Sequence, residues 1–293
     1  MGDGVFAVIG GDMRSAHAAR MLLEKGKQVW TSGIERAALA GAPPSCKPEQ
    51  AAERADYCIL PVPVSDGGEN LRTPLSETTI PLGQIIDRAG PNTVLFAGKI
   101  PPWAAQQAAR RKVRLLDYAE RPDFQRRNAA LTAEGALAIL LQAMPRALAG
   151  ARVLVLGFGK TAQSTALLLR AAGAWVSICA RKAEARAHAQ SLGFPAAGFA
   201  ALKDRKWTGE PDAVVNTVPA PVLAERELQL LRRDCFVLDL ASAPGGVDFK
   251  AAEKLGLQAQ LAPSLPGRIA PESAGEVIVQ TVLTMIEEGG DAQ

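Results

Sequence analysis

Gly157-Phe158-Gly159-Lys160-Thr161-Ala162 sets two glycines and a small residue at the spacing G-x-G-x-x-A. An apolar run, Val153–Leu156, precedes it, and a helical pattern, Thr161–Ala172, follows. In that setting the first Gly permits a tight turn and the second lets backbone approach a pyrophosphate. Ala162 then allows close helix–strand packing, and the anion rests on the free N–H groups at the helix N-terminus. The alternative is a plain Gly turn in an unliganded α/β domain. The next apolar run ends Ile178-Cys179-Ala180-Arg181-Lys182. An acid commonly stands here when the ribose 2′-hydroxyl is recognised. Two cations stand here instead, and Arg forks onto phosphate with charge-assisted bonds, so the pattern predicts NADP over NAD. A solvated helix N-terminus is the competing reading of Arg181 and Lys182.

Further strand ends carry residues suited to a ligand. Asn216-Thr217-Val218-Pro219 should pass a ribose, and Leu240-Ala241-Ser242 opens a Pro/Gly loop that permits close backbone approach. Ala262 to Arg268 follows the last strand, and Pro61 to Gly68 and Ala97-Gly98-Lys99 belong to the first half. Ligands of open α/β sheets lie outside such carboxyl ends. Each segment alone also reads as an ordinary Pro/Gly loop. The first half has Gly10-Gly11-Asp12 at the turn matching the fingerprint. A carboxylate there opposes a phosphate but suits a helix cap, so this half is expected to keep the fold without the dinucleotide.

The elements that must position these residues come in two sets. Strands are expected at Val5–Ile9, Gln28–Thr31, Tyr57–Leu60, Thr93–Phe96 and Val113–Leu116, with helices at Met13–Lys25, Pro48–Arg54 and Pro102–Arg111. From Arg152 the rhythm restarts, with strands at Val153–Leu156, Trp175–Ala180, Ala213–Asn216, Phe236–Leu240 and Gln258–Leu261. Helices at Thr161–Ala172, Ala183–Leu192, Ala224–Leu231 and Phe249–Leu255 fall between them. The expected fold class is α/β, two doubly wound Rossmann-like domains with a cleft between them. Residues 1–121 form the substrate or partner domain, 122–148 a long linking helix (Phe124 to Met144 before Pro145), and 149–272 the NADP-binding domain. A C-terminal helix within 273–293, expected over Ser273–Glu288, returns to complete the first domain.

Composition bounds the rest. The 293 residues allow two cores, and 33 basic against 30 acidic residues, with no basic run, argue against a nucleic-acid partner. The start, Met1-Gly2-Asp3-Gly4, has no basic n-region and only Val5 to Ile9 follows as an apolar run, so neither a signal peptide nor a membrane span is expected. Four cysteines and two histidines lie too far apart in sequence for C-x-x-C or H-x-x-x-H, so no metal site is expected. Both His17 and His188 sit in Ala/Arg-rich helical patterns and are expected to be solvated. The cysteines read as reduced thiols.

These residues together bring the chain close to one family. It resembles the dipicolinate synthase A-subunit over nearly its whole length. The resemblance rests on Val8-Ile9-Gly10-Gly11-Asp12, on Asn128 with Thr132-Ala133-Glu134-Gly135, and on the Gly157 fingerprint. It extends through Asn216-Thr217-Val218-Pro219, Leu238-Asp239-Leu240-Ala241-Ser242 and Pro244-Gly245-Gly246-Val247-Asp248-Phe249 to Leu265-Pro266-Gly267 and Ala270-Pro271. The resemblance implies an NADP-dependent oxidation of dihydro- or 4-hydroxytetrahydrodipicolinate to dipicolinate. It also implies a flavoprotein-like B-subunit and the mother-cell cytosol of a sporulating bacterium; a homo-oligomer is the accompanying expectation. A small dicarboxylate substrate calls for cations and hydroxyls. Arg268 and Lys99 are the cationic candidates, and Ser65, Ser242 and Ser264 the hydroxyl donors. Glu134 interrupts an apolar helix and is the candidate proton acceptor, with Thr132 a donor to the nicotinamide amide or the substrate. The bland reading of each is a surface side chain. Competing functions are a 2-hydroxy-acid, amino-acid or methylene-tetrahydrofolate-type dehydrogenase, and a nucleotide-binding regulatory subunit without its own chemistry.

Overall fold

In a computed structural model of the chain, residues 4–290 are described except Ala38 and Ala40. The readings made above for Met1 to Asp3 and for positions 291–293 lie outside the described residues. Two compact units form, Met1–Asn128 with Ala270–Gln293, and Ala129–Ile269.

The first unit runs β1 (Val5–Ile9), α1 (Met13–Glu24), β2 (Gln28–Ser32), α2 (Pro48–Arg54), β3 (Tyr57–Ile59), α3 (Leu82–Arg88), β4 (Val94–Ala97), α4 (Pro102–Arg111) and β5 (Arg114–Asp117). Every strand pair is parallel, in the order β2-β1-β3-β4-β5. That is the doubly wound order 2-1-3-4-5. Its central strands are buried runs with no alternation, because helices cover both faces of a parallel sheet. Helix α3 is not anticipated by the sequence pattern. Its apolar positions Leu82, Ile85 and Ile86 keep helical spacing, but Pro81 and Gly83 at its start read as loop.

Helix α5 (Pro122–Ala143) is one continuous helix, and the boundary between the units falls inside it after Asn128. The helix expected to link the two halves over 122–148 thus forms over Pro122–Ala143 and carries the chain from one unit into the other. The early turns of α5 belong with the first unit, where Phe124 packs edge-on to the buried Tyr118. Its later positions Ala136 and Leu140 enter the core of the second unit.

The second unit continues β6 (Arg152–Leu156), α6 (Lys160–Ala171), β7 (Trp175–Cys179), α7 (Ala183–Ser191), β8 (Ala196–Ala197), α8 (Arg205–Thr208), β9 (Ala213–Asn216), α9 (Glu225–Leu228), β10 (Phe236–Asp239), α10 (Phe249–Lys254), β11 (Ala259–Leu261) and α11 (Leu265–Ile269). The sheet order is β11-β10-β9-β6-β7-β8, all parallel. Counted within the unit this is the Rossmann order 3-2-1-4-5-6, whose reversal point lies between β6 and β9. Residues 265–269, expected as loop, are helical. Gly135 of α5 makes room for them, since a Cβ there would stand 2.9 Å from the Leu265 Cβ.

Helix α12 (Pro271–Gly290) belongs to the first unit and lies against α1. A Cβ on Gly275 would stand 2.6 Å from the Arg14 carbonyl oxygen and 3.0 Å from the Ala18 nitrogen, so the two backbones touch there. Ion pairs Arg20–Glu272 (2.7 Å) and Arg121–Glu288 (2.6 Å) flank the contact. His17 sits in this seam, half-buried, with its Nδ1 enclosed and unpartnered. It is therefore not the solvated side chain expected; burial and the neighbouring Arg20 hold it below the usual imidazole pKa, against a smaller opposing pull from Glu272. His188 is exposed and meets Phe158 edge-on.

Candidate functional site

The turn after β6 is shaped as a phosphate seat. Gly157 has φ +94°, a conformation that L side chains rarely adopt, and Thr217 and Val218 press against the space where its Cβ would be. Phe158 folds inward and is buried, whereas a Cβ on Gly159 would meet nothing within 4 Å. Gly159 is the N-cap of α6 and no side chain caps the helix. Helix N-termini attract anions, and here neither a cap nor packing fills the approach. Lys160 and Thr161 open the helix, while Ala162 is fully buried against the sheet.

The same turn in the first unit is closed. The Gly11 N–H donates to the Arg72 carbonyl at 2.7 Å, and the Asp12 carboxylate accepts from the Arg14 N–H at 3.1 Å. Asp12 thus caps α1, and Arg14 forks onto it through Nε and Nη2, each at 2.8 Å. Burial raises the Asp12 pKa, but Arg14, with a smaller contribution from Arg72, outweighs that and holds the carboxyl below its usual range. The Gly11 and Arg14 N–H groups are thus already in use, and the Asp12 carboxylate stands where an anion would approach.

Around the open turn, the remaining predicted residues occupy the carboxyl ends of the strands. Asn216 and Asp239 end β9 and β10, both fully buried, and Asn216 Nδ2 donates to Asp239 Oδ1 at 2.8 Å. Asp239 also accepts the N–H groups of Ala241 and Gly246, each at 2.9 Å. Asn216 exchanges bonds with the Val218 backbone, and the Thr217 hydroxyl donates to the Leu156 carbonyl. One buried pair therefore shapes both loops, placing Pro219 and Ser242 at the surface, Val218 and Leu240 half-buried and Ala241 buried. Asp239 is a loop-shaping residue to which sequence reasoning gives no role. Its signal is an acid ending the otherwise apolar run Phe236–Leu238.

Arg181 and Lys182 are exposed at the end of β7, with Lys182 at the N-cap position of α7. Arg186, also missed in the sequence, donates to the Ala180 and Arg181 carbonyls at 3.1 and 2.7 Å and so adds a third cation to this turn.

The proposed acid-binding and proton-transfer residues are more scattered. Thr132 is half-buried and Glu134 exposed on α5; two residues apart on a helix, they do not share a face. Arg268 is exposed on α11, not in a loop, and Ser264 precedes it with φ +57°. In the first unit Lys99 is exposed at the end of β4, also at φ +57°, and Ser65 is buried. Arg14 and Arg72, which the sequence does not single out, stand at the same edge. Arg14 is buried and Nη2 also donates to the Val62 carbonyl at 2.6 Å.

Strand order, reversal point and an uncapped glycine turn define a dehydrogenase-type nucleotide fold. Comparison with known proteins narrows this. A family model for the dipicolinate synthase A-subunit N-terminal domain matches residues 5–119. The dipicolinate synthase A-subunit of Bacillus subtilis (strain 168) is 32% identical over 285 residues, 96% of this chain and 95% of that protein. The chain belongs to the dipicolinate synthase A-subunit family. A crystal structure of dipicolinate synthase, A chain, from Bacillus subtilis superposes with a TM-score of 0.86 at 30% identity, covering 100% of this chain and 99% of that one. A transhydrogenase from Sinorhizobium meliloti (TM-score 0.68, 18% identity, 96% and 93% covered) and an L-alanine dehydrogenase (0.63, 15%, 96% and 88%) share the fold. Among the described residues no helix is long and apolar enough to cross a membrane.

Proposed function

We propose that the chain is an NADP-dependent oxidoreductase subunit that converts dihydrodipicolinate or 4-hydroxytetrahydrodipicolinate to pyridine-2,6-dicarboxylate. The observation that carries this reading is the open, uncapped turn at Gly159 in the second unit, where the matching turn of the first unit is closed by Asp12. It supports one nucleotide, held by the second unit, and leaves the first for the acid. When bound, the nicotinamide supplies the hydride acceptor. Gly157, Phe158, Gly159, Lys160 and Thr161 would hold the pyrophosphate, and the loops of Asn216–Pro219 and Leu240–Ser242 the riboses. Arg181 and Lys182, steadied by Arg186, suit a 2′-phosphate, and no acid ends β7 to repel it.

The dihydro substrate loses a hydride and a proton; the hydroxytetrahydro form must also lose water. Aromatisation supplies much of the driving force, so the protein's tasks are holding two carboxylates and receiving one proton. Lys99 is assigned to the acid, Glu134 to the proton and Thr132 to an amide or carboxylate. The acid–His pair of hydroxy-acid chemistry finds no support, because His17 lies in the α1–α12 seam and His188 on the exposed side of α7. A flavoprotein-like B-subunit partner, assembly as a homo-oligomer and action in the mother-cell cytosol complete the reading.

Cofactor choice is tested by titration. NADP+ should bind at least tenfold more tightly than NAD+, and Arg181→Ala should erase most of that preference, a loss of about 1.5–3 kcal/mol for a charged hydrogen bond. An unchanged preference in the variant defeats the assignment.

A further inference from the structure

At the carboxyl edge of the first sheet, Arg72 is held unlike the arginine beside it. Arg14 is locked by two 2.8 Å bonds to Asp12 and one 2.6 Å bond to Val62. The Arg72 guanidinium stands 3.7 Å from Asp12 and 3.5 Å from Asp66, beyond the roughly 2.7–2.9 Å of a charge-assisted bond. Asp12 is already engaged by Arg14, and the Asp66 side chain is 72% exposed. Arg72 is therefore a largely enclosed cation (23% exposed) whose nearer counter-ion is solvated and easily displaced.

Its backbone, by contrast, is fixed at both ends. The Arg72 N–H donates to the Val64 carbonyl at 3.0 Å, and its carbonyl accepts from Gly11 at 2.7 Å. Val64 also donates its own N–H to the Gly98 carbonyl at 2.8 Å. One residue's backbone thus ties together the segments that carry Arg72 and Lys99. Lys99 is exposed, takes the left-handed conformation at φ +57°, and is pinned there by Asp117, which accepts its N–H at 3.2 Å and that of Ile100 at 2.9 Å. Among the described residues no carboxylate pairs with the Lys99 ammonium. A non-glycine residue held at positive φ is the kind of backbone strain that clusters at ligand sites.

We infer that Arg72 and Lys99 form a paired carboxylate subsite in the first unit, taking one carboxylate each of a small planar dicarboxylate. The Asp12–Arg14 pair is the positioning element: it closes the β1–α1 turn and sets a wall of fixed charge behind Arg72. An incoming carboxylate replaces Asp66 as counter-ion. Recognition through two separated cations selects dicarboxylates over monocarboxylates. This rests on the proposed reaction for its ligand and names residues for its acid half.

The test measures binding apart from turnover, by calorimetry of the full chain in metal-free buffer. Pyridine-2,6-dicarboxylate is the probe and pyridine-2-carboxylate the comparator. Arg72→Gln should weaken the dicarboxylate at least tenfold with NADP+ affinity unchanged, and Arg72→Lys should fall between. Lys99→Gln should weaken the dicarboxylate but leave the monocarboxylate nearly unaffected. Asp66→Asn should tighten the dicarboxylate, a gain that a purely structural role for Arg72 does not produce. Equal dicarboxylate affinity in wild type, Arg72→Gln and Lys99→Gln overturns the subsite, as does wild type failing to bind the probe. If binding depends on Arg72 yet no NADPH forms with the B-subunit present, the reaction is wrong and the subsite stands.

Discussion

Asp12 and Gly159 occupy corresponding turns, and the difference between a carboxylate and an open glycine assigns them opposite tasks. At Gly159 no side chain caps the helix, which the proposed nucleotide requires; at Asp12 the helix end is filled by the protein's own charge. That choice has a pH signature. The Asp12 carboxyl titrates below its unfolded value of about 3.9, so the unfolded chain binds the proton more readily. The stabilisation is complete above that value and is lost as pH falls below it. Asp12→Asn should therefore lower the thermal midpoint at pH 6 and flatten the acid limb of stability below about pH 4. An acid limb identical to wild type would show that the Arg14 pair contributes nothing to stability. The three buried thiols make the converse point: desolvation pushes Cys58, Cys179 and Cys235 each up to about 12, leaving them protonated packing residues at neutral pH.

The seam between α1 and α12 shows how element packing overrides local preference. Alanine is better than glycine inside a helix by about 1 kcal/mol. At Gly275, however, the added methyl would meet backbone of α1, and overpacking typically costs about 1–3 kcal/mol. Gly275→Ala should destabilise the protein, lowering its melting midpoint by several degrees. Gly289→Ala, whose methyl would meet only the Arg114 side-chain tip at 3.4 Å, should be neutral or stabilising. Equal effects at both sites would mean that α12 does not rest on α1 this closely.

How far elements are legible in the sequence follows the same logic. Continuous branched runs such as Val5–Ile9 and the strand–Gly–helix cadence reveal parallel strands and the fingerprint turn, because covered sheets need apolar residues at every position. Short pieces are another matter. Helices α8 and α11 and strand β8 span too few residues for periodicity to speak, Pro81 and Gly83 mask the start of α3, and tertiary contacts such as Leu265 against Gly135 decide the short pieces. The Asn216–Asp239 pair is half visible, since Asn216 sits in a loop motif whereas Asp239 resembles a strand ending. Arg14 and Arg72 are invisible as a pair, because 58 residues separate them and only the sheet edge brings both to Asp12.

Taken whole, the chain builds two sheets of different strand order, to which the proposed function gives different tasks. The 3-2-1-4-5-6 sheet carries the open glycine turn, the cationic β7 end and the buried pair that shapes two ligand loops. The 2-1-3-4-5 sheet carries a closed turn and two underused cations suited to an acid. The scarcity of His and Cys fits a hydride transfer that relies on bound nucleotide and held carboxylates, with neither imidazole nor thiolate required of the protein. The most direct test is absorbance at 340 nm with enzymatically generated dihydrodipicolinate, NADP+ and the purified chain, with and without the B-subunit. NADPH should accumulate together with pyridine-2,6-dicarboxylate in equal amounts, and NAD+ should support far slower formation. No NADPH with both subunits present, while the chain binds NADP+, would contradict the assignment of hydride transfer to this protein.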